Sequence, residues 1–451
     1  MNRKSKMWAV CLLGAWVPSV YGQSADGWTL RQCIDYARAN NIQVQSTQIA
    51  QESALVDLQQ AQAQKTPSLS FSTTQNVIHQ KKEAAGWNEN GERTETGNFL
   101  SDGTYRGSYA LNAGVTIYNG GKLKNSLLQQ RTIGKSRETE VEMARNSIEI
   151  AVTQAYLEIL YANETVKTNG QTVESSEAQM NRAKALFEAG SISRSDFAQI
   201  ESQYASDRYQ LTVSETRLSE SRLALKQLLE LGIDEAFDVV FPELDSADVL
   251  VAIPSLESVY RTALTVMPEV ENSRLGIESS QIGEKIALAD GRPTITASAS
   301  IGTGNTSGTN YAFYNQLNNQ LNESAGITLS VPIFNHRQAK SSIAKARLQT
   351  RQAHLNYLDT EKQLLKTVES LYQDAVSAQS RYVAASDRVR SAELSYRLML
   401  EQFDAGMKNT VELLTEKNNF LSAQQEQIQA KYQAVLSIRL LNFYRDQPIQ
   451  L

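Results

Sequence analysis

The sequence predicts an α+β membrane protein in which long antiparallel coiled-coil helices carry four β-strands per chain, with the whole arrangement built twice. Three observations lead there. First, apolar side chains recur at alternating steps of four and three through Leu364, Val368, Leu371, Ala375, Ala378, Tyr382, Ala385, Val389, Ala392, Tyr396, Met399 and Phe403, a heptad seam of one unbroken helix. At about 1.5 Å per residue that helix runs roughly 60 Å, too long for a compact core, so its partner must be equally long. Second, the stretch occurs again 216 residues earlier, from Ile148 to Phe187, with only Asn169 and Ser176 off the pattern, and both copies end on Phe-acid-Ala-Gly, at Gly190 and Gly406. Third, upstream of each copy the period changes from helical to two, the signature of strands with one apolar face.

Taken in order, residues 1–22 read as a secretory signal peptide. Arg3, Lys4 and Lys6 precede an apolar run from Met7 to Val17, and Val20-Tyr21-Gly22 forms a cleavage site. The run is too short to span a bilayer. Beyond it Cys33 is the only cysteine, so no intrachain disulfide or thiolate cluster is expected. The net charge of −5 becomes −8 once the three basic residues of the signal are removed, which disfavours a nucleic-acid partner.

The first repeat is expected over 23–240 and the second over 256–451, joined by a linker at 241–255 that contains Pro254. Each begins with a helix, through Leu30, Ile34 and Ala37 to about Gln64, and through Leu256, Tyr260 and Ala263 past Met267-Pro268 to Ala289; Pro67 and Pro293 stop them. Strand hairpins follow over 67–118 and 293–334, their Gly-, Asn- and Ser-rich connections, His79–Thr104 and Gly302–Asn322, reading as loops. The long helices then run to tips near 190 and 406. Returning helices carry Phe197, Ile200, Tyr204, Leu211, Leu218 and Leu225, and Val411, Leu414, Leu421, Ile428 and Val435. The two shorter helices of a repeat sum to the length of the long one, so they can stack end to end along it.

The strands decide the environment. No stretch after the signal reaches the ~20 apolar residues of a membrane helix, so a membrane role falls to strands. Their apolar faces are Tyr105, Tyr109, Leu111, Val115 and Ile117 on one return, Ile295 and Ile301 on the next strand, and Ile327, Leu329 and Val331 on the last. These are the expected lipid-facing residues, with tyrosines, Tyr118 among them, in interfacial girdles. A bilayer satisfies no unpaired backbone group, so four strands cannot remain an open sheet there. They must close with copies from other chains, and since such barrels start at about eight strands, at least a dimer is required.

From about Leu30 to Arg445 the chain resembles the TolC family of bacterial outer-membrane efflux proteins. The resemblance is carried by Thr29, Leu30, Ala37 and Asn41, by the Tyr-Asn-Gly-Gly return at Tyr118 to Gly121, and by the two Phe-acid-Ala-Gly turns. It implies a homotrimer with a shared 12-stranded β-barrel in the outer membrane of a Gram-negative cell, continuing into the periplasm as an α-helical barrel. It further implies a passive exit duct of a tripartite efflux pump for small molecules and drugs, working with a periplasmic adaptor (membrane fusion) protein and a proton-driven or ATP-driven inner-membrane transporter. Exit of a protein or peptide from a type I secretion system is the alternative within the class, and a non-pore periplasmic coiled-coil scaffold the alternative outside it.

Nothing in the sequence calls for catalysis, a metal or a cofactor: His79, His336 and His354 have no ligand spacing, and nucleophile-elbow and phosphate-loop motifs are missing. The site residues expected are those of the tips, Gly190, Asp196, Gly406, Lys408 and Glu412. Each acid lies six residues after its glycine and three after Ser193 or Asn409, which is the pattern of a helix cap. The resemblance makes the same residues the contacts of a periplasmic gate, though Thr415 stands where some relatives carry a further acid. Along the seam, a charge at Ala385 is expected to abolish assembly, and Gln379→Asp, off the seam face, to be tolerated.

Overall fold

The computed structural model describes residues 27–78, 85–87, 93–95, 104–307, 309 and 311–451; the signal-peptide segment 1–22 and His79 lie outside them. The chain opens with α1 (Leu30–Asn40) and α2 (Ile42–Ala63), then β1 (Ser68–Ile78), a short ladder of β2 (Ala85–Trp87) and β3 (Arg93–Glu95), and β4 (Thr104–Asn119). The long α3 (Lys122–Glu188) and its return α4 (Arg194–Leu228) complete the first repeat, and α5 (Ser246–Val249) lies between the repeats. The second repeat has α6 (Leu256–Val266), α7 (Pro268–Ala289), β5 (Thr294–Thr306), α8 (Phe313–Asn319), β6 (Asn322–Ser330), α9 (Gln338–Asp404) and α10 (Thr410–Phe443). Helices α3 and α9 are 67 residues each, roughly 100 Å.

The first helix of each repeat breaks where a continuous one was expected. Asn41 leaves the helix at ψ 133°, its side chain accepting the Gln43 N–H at 2.9 Å and donating to the Leu228 carbonyl at 3.1 Å. Asparagine offers both functions at once, so it caps α2 and ties it to the end of α4, and the two lie end to end along α3. Met267, its counterpart, breaks at ψ 126° for another reason: Pro268 has no N–H to continue α6 but is preset for the first turn of α7.

The hydrophobic core lies at the level of these breaks. Leu30, Cys33 and Ile34 of α1, Val152, Tyr156 and Ile159 of α3, Val259 and Ala263 of α6, Val368 and Ala378 of α9 and Leu441 of α10 form one buried cluster. Burial pushes the Cys33 thiol up to about 12, leaving it protonated and inert at neutral pH. The segment expected as a linker, 241–255, and the two residues before it are fastened here. Trp28 bridges Val239 in parallel, the Tyr156 hydroxyl donates to the Val240 carbonyl at 2.6 Å, and Val249 is fully buried. The Gln379 amide donates to the carbonyls of Val249 and Val251 at 2.8 and 2.7 Å. That corrects the expectation for Gln379: an aspartate there would set a carboxylate against two carbonyl oxygens.

The four long strands form one antiparallel sheet in the order β1-β4-β5-β6. Residues directly opposite share a face, and the register assembles one apolar face across all four strands. Phe71, Leu111 and Ile301 share a row that ends on Glu323 of β6, Leu69, Ala113, Ala299 and Ala325 form the next, and Val115, Ala297 and Ile327 the one below. Tyr105 and Tyr109 lie on the same face of β4, opposite Val77 and Thr73. The other face is small and polar, with Ser68, Ser70 and Ser72 opposite Gly114, Asn112 and Ala110. The apolar face is bare in the single chain: Phe71 is 67% exposed and Ile327 74%. From Tyr105 to Ile117 it runs about 40 Å along the strand, roughly 28 Å in height if tilted 45°, close to the ~25 Å band of an outer-membrane barrel.

Three details of the strands differ from expectation. A bulge at Ile117 leaves that residue unpaired and places Tyr118 opposite Ile295, so the apolar row continues through Tyr118, Ile295 and Leu329. Strand β6 ends at Ser330, leaving Val331 and Ile333 outside it, because its partner strand starts after Pro293 and Pro332 has no N–H. And the second connection is not all loop: β5 continues to Thr306 and α8 covers its free edge, the Gln316 side chain accepting the Thr306 N–H at 2.8 Å.

Candidate functional site

The tips are built the same way twice. Helix α3 ends at Gly190 (φ +74°), with the N–H groups of Gly190 and Ser191 donating to Phe187 and Leu186; α9 ends at Gly406 (φ +72°), with Gly406 and Met407 donating to Phe403 and Gln402. A left-handed residue is what reverses the chain here, and glycine adopts it without a Cβ penalty. The return helices start at once. The Ser193 hydroxyl and Asp196 form a reciprocal capping box on α4, and Asn409 accepts the Glu412 N–H at 2.9 Å on α10.

Beyond the caps, the structure brings the two tips together. Asp196 Oδ1 accepts from the Thr410 hydroxyl at 3.1 Å, so the carboxylate that caps α4 also holds the first residue of α10. Lys408 pairs with Glu412 one turn along at 3.2 Å, and Arg182 of α3 pairs with Asp404 of α9 at 2.8 Å. Phe187 and Phe197 stack at 5.5 Å inside the first tip. Gly190, Asp196, Gly406, Lys408 and Glu412 are therefore neighbours at one end of the molecule. Within one chain both acids already have partners, so the caps are satisfied whatever else the residues do.

The hydrogen bond from Ser193, aided by that from Thr410, holds the Asp196 carboxyl below its ordinary value of 3.8. A depressed folded-state value means that the stabilisation is present above pH ~4 and is lost as the pH falls through it. Amide-exchange protection at Thr410 and across the first turn of α4 is therefore expected to fall below about pH 4. In Asp196→Asn, which keeps an acceptor but does not titrate, the fall should be absent; an identical pH profile in both proteins would exclude Asp196 as its source.

Sequence reasoning missed the polar contacts above the tips. Asp207 of α4 and Lys417 of α10 are 5% and 3% exposed and pair at 2.7 Å, and Gln203 donates to the other Asp207 oxygen at 2.8 Å. The buried stripe of lower α10 runs through Thr410, Leu413, Lys417 and Ala423, while Val411, expected on the seam, is 58% exposed. A lysine at a seam position hid the register. The signal was present on α4, where Ile200, Asp207 and Ser214, all buried, repeat every seven residues. The off-pattern residues of α3 belong to the same layer: Ser176 is buried with its hydroxyl on the Thr172 carbonyl, and the Asn169 amide faces the Gln210 carbonyl.

Comparison with known proteins agrees with this architecture. The family described as outer membrane efflux protein matches residues 33–230 and 259–442, one match on each repeat. The alkaline protease secretion protein AprF of Pseudomonas aeruginosa is 23% identical over 380 residues, covering 82% of this chain and 76% of that one. The outer membrane protein TolC of Salmonella enteritidis is 21% identical over 445 residues, covering 92% and 83%. Among solved structures, the outer membrane protein VceC of Vibrio cholerae superposes with a TM-score of 0.75 at 16% identity, covering 93% of this chain and 97% of that one.

Proposed function

Because the chain belongs to the outer membrane efflux protein family, we propose that it works as the passive exit duct of a tripartite pump, a homotrimer docked through a periplasmic adaptor to an inner-membrane transporter. It resides in the outer membrane and extends into the periplasm. The observation that carries the channel reading is the sheet: four strands with one bare apolar face, one small polar face and, among the described residues, two unpaired edges. In water that face would be a large exposed patch, whereas in a bilayer it is the lipid-facing wall, provided that neighbouring copies satisfy the edges. A non-pore scaffold has no use for it. Three copies give twelve strands, and the polar faces, lined by serine, threonine, asparagine and glycine, would then enclose an aqueous lumen that selects little.

Tyr105, Tyr109, Leu111, Val115, Ile117, Ile295, Ile301, Ile327, Leu329 and Val331 are assigned to the lipid-facing side. The tips are assigned to the gate. Copies of Asp196 and Glu412 around one axis repel, by up to about 4 kcal/mol per contact at 4 Å and an effective dielectric near 20, unless cations such as Lys408 intervene. An adaptor that offers new partners to these side chains would shift that balance. Replacing Asp196 and Glu412 together by alanine also removes the acceptor of Thr410, and is expected to raise single-channel conductance in planar bilayers and weaken cation selectivity while the trimer persists. Parental conductance at low and high salt alike would reduce both acids to helix caps.

A second reading, export of a protein rather than small molecules, is favoured by the likeness to AprF, named for alkaline protease secretion. Deleting the gene and measuring secreted protein and drug susceptibility side by side separates the two.

A further inference from the structure

The four long strands carry almost no charge. Among their residues only Arg106 of β4 and Glu323 of β6 are acidic or basic, and the register puts the two on opposite faces. Arg106 lies opposite Asn76 of β1 and Thr306 of β5, and Ser108, two residues on, lies opposite Thr74 and Gly304. Residues directly opposite share a face, as do residues two apart along a strand. Arg106 therefore belongs to the small polar face, with Ser72 and Asn112 further down it. Glu323 lies opposite Ile301, in the row of Leu111 and Phe71, and belongs to the apolar one.

The level of both residues is fixed as well. Helices α2, α3, α7 and α9 all leave the sheet at one end, and Arg106 lies at the other, opposite the last residue of β5. Glu323 stands 216 residues after Gly107 and so occupies the equivalent place in the second repeat, at the same height on the other side of the wall. Around Arg106 the polar face offers Asn76, Ser108, Gly304 and Thr306, small or uncharged side chains that cannot neutralise a guanidinium, and Arg106 itself is exposed.

We propose that Arg106 forms, in the assembled barrel, a ring of three guanidinium groups at the outer mouth of the duct that binds phosphate- or carboxylate-bearing molecules. The inference rests on the shared-barrel reading above and gives its lumen a site and a sign. Twelve strands about 4.8 Å apart and tilted about 45° make a wall roughly 26 Å across. Arginines reaching inward from three points of that wall bring their charges to on the order of 10 Å from one another, about one Debye length at physiological salt, so their fields overlap across the opening. A guanidinium presents paired N–H donors in a fork that matches two oxygens of a phosphate or carboxylate, which a serine- and threonine-lined wall cannot do. The acids Asp196 and Glu412 stand at the far end of the long helices, so the duct carries acid at its inner end and base at its outer one. An anionic group that has passed the tips meets attraction at the exit.

Inorganic tripolyphosphate, added to the outer side of the oligomer in planar bilayers, tests the ring. It is expected to block the current, less strongly as the salt concentration is raised. Half-block in Arg106→Gln should need about tenfold more tripolyphosphate, the factor that loss of a single charge-assisted hydrogen bond already supplies. Arg106→Lys keeps the charge without the fork and should fall between the two. Glu323→Gln, at the same level on the lipid side, should behave as the parent, and the oligomer should persist in all three variants. Block from the periplasmic side that Arg106→Gln also removes would extend the ligand to outgoing cargo; block from the outer side alone would restrict it to anions of the medium. Undiminished block in Arg106→Gln, or none in the parent, as when acids of the 79–104 connection neutralise the ring, would overturn the proposal and leave the shared barrel standing. A block changed by Glu323→Gln and not by Arg106→Gln would mean that the apolar face lines the lumen, and the barrel reading would fall with the ring.

Discussion

Ala378→Asp is expected to leave no assembled protein in the outer membrane. Ala378 is fully buried in the central cluster, on the seam of α9. A carboxylate at that position either loses its hydration without a partner or drives α9 away from the helices it packs against, at a cost of several kcal/mol. The position is a better test than Ala385, 8% exposed beside a groove lined by Arg381 and Arg388, where a new carboxylate would find cations at hand. Ala384→Asp, six residues along α9 on its exposed side, is the control. Comparable amounts of detergent-resistant oligomer from Ala378→Asp and Ala384→Asp would mean that the seam does not hold the helices together.

The second large effect is expected at the buried ion pair. Lys417→Ala leaves the Asp207 carboxyl in a site 5% exposed, with only the Gln203 amide hydrogen-bonded to it. Breaking a buried pair by removing one partner typically costs about 3–5 kcal/mol, whereas replacing both members by apolar residues of similar volume is often neutral. Lys417→Ala should therefore lower the denaturation midpoint sharply, and Asp207→Leu with Lys417→Met should recover most of the loss. A single variant within about 0.5 kcal/mol of the parent would show that water reaches the pair and screens it. The pair joins α4 to α10, so its loss should also loosen one tip against the other, measurable as faster amide exchange at Thr410.

The repeat, the strands and the tips were legible in the sequence because each rests on local periodicity or on one residue with special backbone chemistry. A heptad is visible wherever both seam positions are apolar, as from Leu364 to Ala385, and the glycines at 190 and 406 announce chain reversal by themselves. Where the same geometry is reached by other residues, only the repeat marks the place, as at Phe334-Asn335-His336-Arg337. The return from strand to helix uses Gly120 and Gly121 at φ +67° and +89° in the first repeat, but His336 and Arg337 at +52° and +65° in the second. Non-glycine residues pay roughly 1–2 kcal/mol for that conformation, and only the surrounding fold can impose it.

The sequence by itself determined the class of protein: two tandem repeats, helices too long for a globule, and strands whose alternation leaves one face apolar and one polar. Period two or seven survives in the order of residues whatever the chain packs against, which is why no tertiary knowledge was needed. Tertiary structure decided which distant groups meet. The Asn41 amide closes on the end of α4, the Gln379 amide holds the segment between the repeats, Asp196 reaches across to Thr410, and Asp207 finds Lys417 some two hundred residues away. Each of these is a polar side chain at a position where periodicity asks for an apolar one or asks for nothing. Its partner is fixed by how the helices lie against one another, and in a low-dielectric interior a polar group must have that partner or cost the fold its stability.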